Sequence, residues 1–62
     1  MKKEIGEHLK RIERNTETII KNRAYLLSGD EQKAQLAADI NRALEDANRK
    51  RWAAVLGADH AN

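Results

Sequence analysis

The sequence predicts an all-α protein: a two-helix antiparallel hairpin that dimerises into a four-helix bundle. Three observations lead there. The apolar residues of the first half recur with a heptad rhythm, the chain holds no proline, and a single cluster of turn-forming residues, "LSGDEQ", interrupts it near its midpoint. The predicted organisation is a hairpin over residues 1–57, with a helix over 3–27, a turn at 28–30 and a helix over 31–56. A flexible tail over 58–62 follows.

In the first helix Ile5, Leu9, Ile12, Thr16, Ile19, Arg23 and Leu26 are spaced alternately by four and three residues. That is the seam of a helix that packs along its length on a neighbour. Ile20 and Leu27 widen the stripe, and Thr16 and Arg23 interrupt it. Polar residues in such a seam fix register or oligomer state at some cost in stability. Arg23 is expected either to sit near the bundle end or to snorkel outward, since burial would require a carboxylate partner.

Two spellings of the joint are open. Ser28 and Glu31 have the spacing of a capping box. Alternatively, Gly29 takes a left-handed conformation after the first helix and Asp30 caps the second. Either way one helix ends and another begins within two or three residues, and so short a connection joins antiparallel neighbours. A continuous helix would instead carry Gly29 in its interior, at a cost of roughly 1 kcal/mol.

The second helix sets Leu36, Ala37, Ile40, Ala43, Leu44, Ala47, Arg51, Ala54 and Val55 on one broad face. Small residues dominate it, so helices approach closely but little area is buried per residue. Arg42–Asp46, Glu45–Arg49 and Asp46–Lys50 are spaced to pair along its exposed side. Gly57 is the expected terminator. A two-helix hairpin leaves part of each stripe uncovered, which is the energetic ground for expecting a homodimer.

Composition narrows the function classes. With 62 residues and no cysteine, one small domain must be stable without disulfides or thiolate–metal sites. "MKKEIGEHLK" has no apolar core of a signal peptide, and no apolar run is long enough to span a membrane, so a soluble, cytoplasmic protein is expected. No catalytic constellation or glycine-rich phosphate loop can be assembled, and two helices enclose almost no concave volume, so no enzyme is expected. No cofactor or small-molecule substrate is expected either. His8 and His60 are isolated, and Glu4 with His8 supplies only two ligands, so no metal site is expected.

Charge gives the best functional pointer. The net charge is +2, but residues 1–23 hold seven Lys/Arg against four Glu, while residues 24–62 hold five against six acidic residues. Lys3, Lys10, Arg14 and Lys21 fall in one narrow sector of the first helix, opposite the seam. A row of cations on a rigid helix can track a phosphate backbone, each contact releasing counterions. The plainer reading is a solvated face, with Glu7 pairing to Arg11 and Glu17 to Lys21. "NRKRW", residues 48–52, places three cations beside the only tryptophan, but on a helix they point in different directions. Trp52 shares a sector with Ala34, Ala38 and Leu56, which suits a partner-protein contact.

Several features together resemble the repressor-of-primer family: the chain length, the turn spelling Asp30-Glu31-Gln32, Thr16 in a seam of aliphatics, the alanine-rich second helix, and "LGAD" at residues 56–59. The resemblance implies a helical hairpin dimerised as an antiparallel four-helix bundle, which binds paired RNA stem-loops and so helps control plasmid copy number. It also implies RNA contacts on the outer face of the first helix. Carried over by heptad phase, these fall at Glu7, Arg11, Asn15 and Asn22. None is the family's residue, and its aromatic is missing. Asn15 keeps an amide where the family has glutamine, and Arg11 offers a guanidinium plane for stacking. The expected function is a small non-catalytic regulator of a plasmid or phage, binding structured RNA through Lys3, Lys10, Arg11, Arg14, Asn15 and Lys21. The alternative is a helical adaptor or inhibitor that docks a protein through Ala34, Ala38, Trp52 and Leu56.

Overall fold

A computed structural model describes the backbone of residues 2–60 and the side chains of residues 3–57. Two helices, α1 (Lys2–Leu26) and α2 (Glu31–His60), pack on each other as a hairpin. The molecule is a rod of 49 × 14 × 11 Å. A single uninterrupted helix of this length would extend roughly 90 Å, at 1.5 Å per residue. The chain therefore folds back at its midpoint.

The turn is built by the second of the two spellings. Leu27 N–H donates to the Arg23 carbonyl at 3.2 Å, and Ser28 N–H then reaches only as far back as Tyr25, also at 3.2 Å, tightening the end of α1. Ser28 Oγ donates to the same Tyr25 carbonyl at 2.7 Å. Gly29, at φ +82°, takes the left-handed conformation that reverses the chain. Asp30 Oδ1 then accepts from Lys33 N–H at 3.1 Å, capping α2. Gly29→Ala and Asp30→Ala should each lower stability by about 1 kcal/mol in urea unfolding, the first through backbone strain and the second through the lost cap.

The far end differs from expectation. Gly57 does not terminate α2, which continues through it to His60. Gly29 is the one positive-φ residue among those described. Glycine permits a left-handed stop without imposing one, and neither Gly57 nor Ala58 breaks the backbone hydrogen bonding. Residues 58–60 of the expected tail are thus helical, while 61–62 lie outside the described residues.

The helix–helix seam also differs, by one line of residues around α1. Ile12 and Ile19 are buried and Ile5 is half-buried, as the heptad pattern requires. Their neighbours in the seam, however, are His8, Asn15 and Asn22. Leu9, Thr16 and Arg23 turn to solvent. On α2 the buried residues are Ala37 and Asn41, with Ala34, Leu44, Asn48, Arg51 and Val55 half-buried alongside. Leu36, Ile40, Ala43 and Ala54, expected on the packed face, are exposed.

Polar pairing explains the rotation. Asn15 Nδ2 donates to Asn48 Oδ1 at 2.9 Å, and Asn22 Nδ2 donates to Asn41 Oδ1 at 2.9 Å. Asn41 Nδ2 reaches the Ile19 carbonyl at 3.3 Å, and Asn48 Nδ2 reaches Thr16 Oγ1 at 3.4 Å. Toward the open end, Arg51 Nη1 lies 3.0 Å from His8 Nδ1. Donation by the guanidinium requires a neutral His8 ring with its proton on Nε2. Three polar rungs seven residues apart on α1 therefore alternate with aliphatic layers.

Candidate nucleic-acid interface

Lys3, Lys10, Arg11, Arg14 and Lys21 are all exposed. Among the described residues, ion pairs form only on α2, where Asp46 meets Lys50 at 3.4 Å and Arg49 at 3.8 Å. The expected Glu7–Arg11 and Glu17–Lys21 pairs do not form, nor do Arg42–Asp46 and Glu45–Arg49. Lys3, Lys10, Arg11, Arg14 and Lys21 are thus held on the 25-residue α1 with no carboxylate partner among the described residues.

Asn15 is placed differently. It is half-buried, and its amide is engaged by Asn48 across the seam. Asn22, one of the positions carried over from the resemblance, is likewise turned to α2 and paired with Asn41. Glu7 and Arg11 remain on the outer surface. The outer face of α1 therefore presents cations and glutamates, with both amides committed to the contact with α2.

The apolar surface divides between two flanks of the seam. At ~100° per residue, Leu9, Ile20 and Leu27 lie on one flank of α1. Ala38, Trp52 and Leu56 lie on the matching flank of α2, the side on which Thr16 meets Asn48. Ile20 is 55% exposed, Leu27 87%, Trp52 45% and Leu56 53%, so this strip has no cover in the single hairpin. Ala34 and Ala38 are half-buried toward α1, while Trp52 and Leu56 sit about five turns further along α2. The sector read from sequence is thus a long strip. On the opposite flank, Tyr25, Leu36 and Ile40 border a shallow groove of about 330 Å³ near the turn.

The single hairpin has a large surface for its mass. It exposes 5260 Å², about 1,200 Å² above the value of about 4,100 Å² expected for a compact monomer of its 7.1 kDa. No helix of the described residues is long and apolar enough to cross a membrane. In comparisons with protein-family models, curated proteins and solved structures, the chain matches none.

Proposed function

We propose that the protein is a non-catalytic regulator that binds structured RNA through the basic face of α1, acting as a homodimer of hairpins in a four-helix bundle. The observation that carries this reading is the set of exposed α1 cations without carboxylate partners, Lys3, Lys10, Arg11, Arg14 and Lys21. A second copy covers the strip of Leu9, Ile20 and Leu27 with Trp52 and Leu56. This brings the two α1 helices side by side and doubles the row of cations. Phosphate contacts supply the affinity, and Arg11 at the margin reaches exposed bases. The resemblance to the repressor-of-primer family points the same way and suggests plasmid or phage regulation as the setting.

The test is a salt titration with RNA stem-loop pairs, read by fluorescence anisotropy. Lys10→Ala, Arg14→Ala and Lys21→Ala together should reduce the slope of log affinity against log salt by about 2 to 3, since each phosphate contact contributes about 0.7 to 0.9. Unchanged affinity and slope in the triple variant would remove the basic face from the site.

A second reading rests on the same uncovered strip. A helical adaptor or inhibitor would use Ala34, Ala38, Trp52 and Leu56 to dock an apolar helix of another protein. The two readings part on self-association. A strip that covers itself makes a dimer, whereas one that stays open in a monomer is free for another protein.

A further inference from the structure

At the open end of the hairpin, where α1 begins and α2 ends, a surface cleft of about 490 Å³ lies between the helices. Lys10, Arg11 and Arg14 line it from α1, and Arg51 lines it from α2. Glu4 and Glu7 also border it, so four cations face two carboxylates around His8. We propose that this cleft binds a phosphate group of the nucleic-acid backbone, and that Arg51 extends the recognition surface from α1 onto α2. The proposal rests on the nucleic-acid reading above and adds a residue and a site to it.

Arg51 carries the argument. It is half-buried, yet no carboxylate lies within ion-pairing distance of it among the described residues. Its one hydrogen bond to the protein there is the 3.0 Å contact with His8 Nδ1, which takes a single N–H. A guanidinium has five N–H donors in a rigid planar fork. The imidazole therefore orients the group while most of its donors stay unspent beside Arg11 and Arg14. Phosphate oxygens are the matching acceptors, because paired N–H groups engage two of them at once. A second copy seated on the Leu9, Ile20 and Leu27 flank leaves the cleft open, since Arg11 lies on the other side of the seam.

The experiment combines two readouts on the intact protein. RNA stem-loop binding is measured at low salt for the wild type, Arg51→Gln and Arg51→Lys. Perturbation of the Arg51 Nε–H and His8 ring resonances is followed by NMR in the wild type. The expected result is a 5- to 20-fold loss of affinity in Arg51→Gln, a salt slope lowered by about 1, a smaller loss in Arg51→Lys, and shifted Arg51 and His8 resonances on RNA binding. Wild-type binding that neither moves these resonances nor weakens in Arg51→Gln would overturn the cleft while leaving the α1 face intact.

The NMR footprint on the wild type serves the same purpose if Arg51→Gln does not fold. If the wild type binds no RNA, the nucleic-acid reading fails by itself. Titration with inorganic phosphate then decides the cleft. Saturable shifts at Arg51 would retain it as a site for free phosphate, and their absence would overturn it.

Discussion

Asn41→Ala should destabilise the hairpin by about 1 to 3 kcal/mol, the cost of leaving a buried amide partner unsatisfied. Asn41 is 7% exposed, accepts from Asn22 at 2.9 Å and donates to the Ile19 carbonyl. Truncation removes both bonds and leaves the half-buried Asn22 amide facing a cavity. Replacing both partners tells a different story. Asn22→Leu with Asn41→Leu exchanges a satisfied pair for aliphatic packing, which is near neutral or stabilising when shapes match. The paired leucines should therefore unfold at or above the wild-type urea midpoint, with a coupling of 0.5 to 3 kcal/mol in the double-mutant cycle. Their expected penalty is in specificity, because one polar rung no longer opposes sliding of α1 along α2. Additive single and double effects would show that the rung contributes nothing as a pair.

That rung also shows what the sequence conceals. The line Ile5, Ile12 and Ile19 belongs to the seam on any reading, because it is apolar throughout, while Leu26, next on that line, is 41% exposed at the end of α1. Its companion line is the ambiguous choice. On one side lie Leu9, Thr16 and Arg23, and on the other His8, Asn15 and Asn22. Hydrophobic periodicity favours the first line, since it adds a leucine and a threonine. The structure packs the second against α2, because each asparagine meets an asparagine there. A signal was present: Asn15 and Asn22 are seven residues apart, as are Asn41 and Asn48, so one register pairs both sets at once. Polar residues matched across a hairpin are invisible to a search that scores only apolar ones.

The turn was legible for the opposite reason, because its chemistry is local. Gly29 and Asp30 need only their immediate neighbours to set the reversal. The α1 cations were legible as a row too, since one helix fixes their common face. Arg51 was not. It lies 37 residues beyond Arg14 in the chain, and only the antiparallel pairing of the two helix ends brings both to one cleft. In the sequence it is a lone arginine on the broad face of α2, with nothing local to link it to the cations of α1.

The rotation of α1 bears directly on assembly. By turning Leu9 outward beside Ile20 and Leu27, it moves aliphatic area from the hairpin's own seam to its flank. Covering 600 to 1,000 Å² of each chain, as an ordinary dimer does, would absorb most of the roughly 1,200 Å² of excess surface. The wild type should therefore sediment at twice its 7.1 kDa monomer mass. Its unfolding should also depend on concentration, gaining about 1.4 kcal/mol per dimer for each tenfold rise.

Ile20→Glu is the sharp variant. At 55% exposure in the single hairpin, the glutamate is well tolerated by a monomer. Buried against a second copy it has no partner, and the dimer should be weakened by several kcal/mol. Sedimentation should then report 7.1 kDa at micromolar concentration, and the unfolding midpoint should lose its concentration dependence. RNA affinity should fall with it, because a single α1 presents half of the doubled row of cations. A wild type that is monomeric at every concentration, with a neutral Ile20→Glu, would remove the dimer and leave the strip around Trp52 open to another protein. In that event the balance would pass from the nucleic-acid regulator to the adaptor.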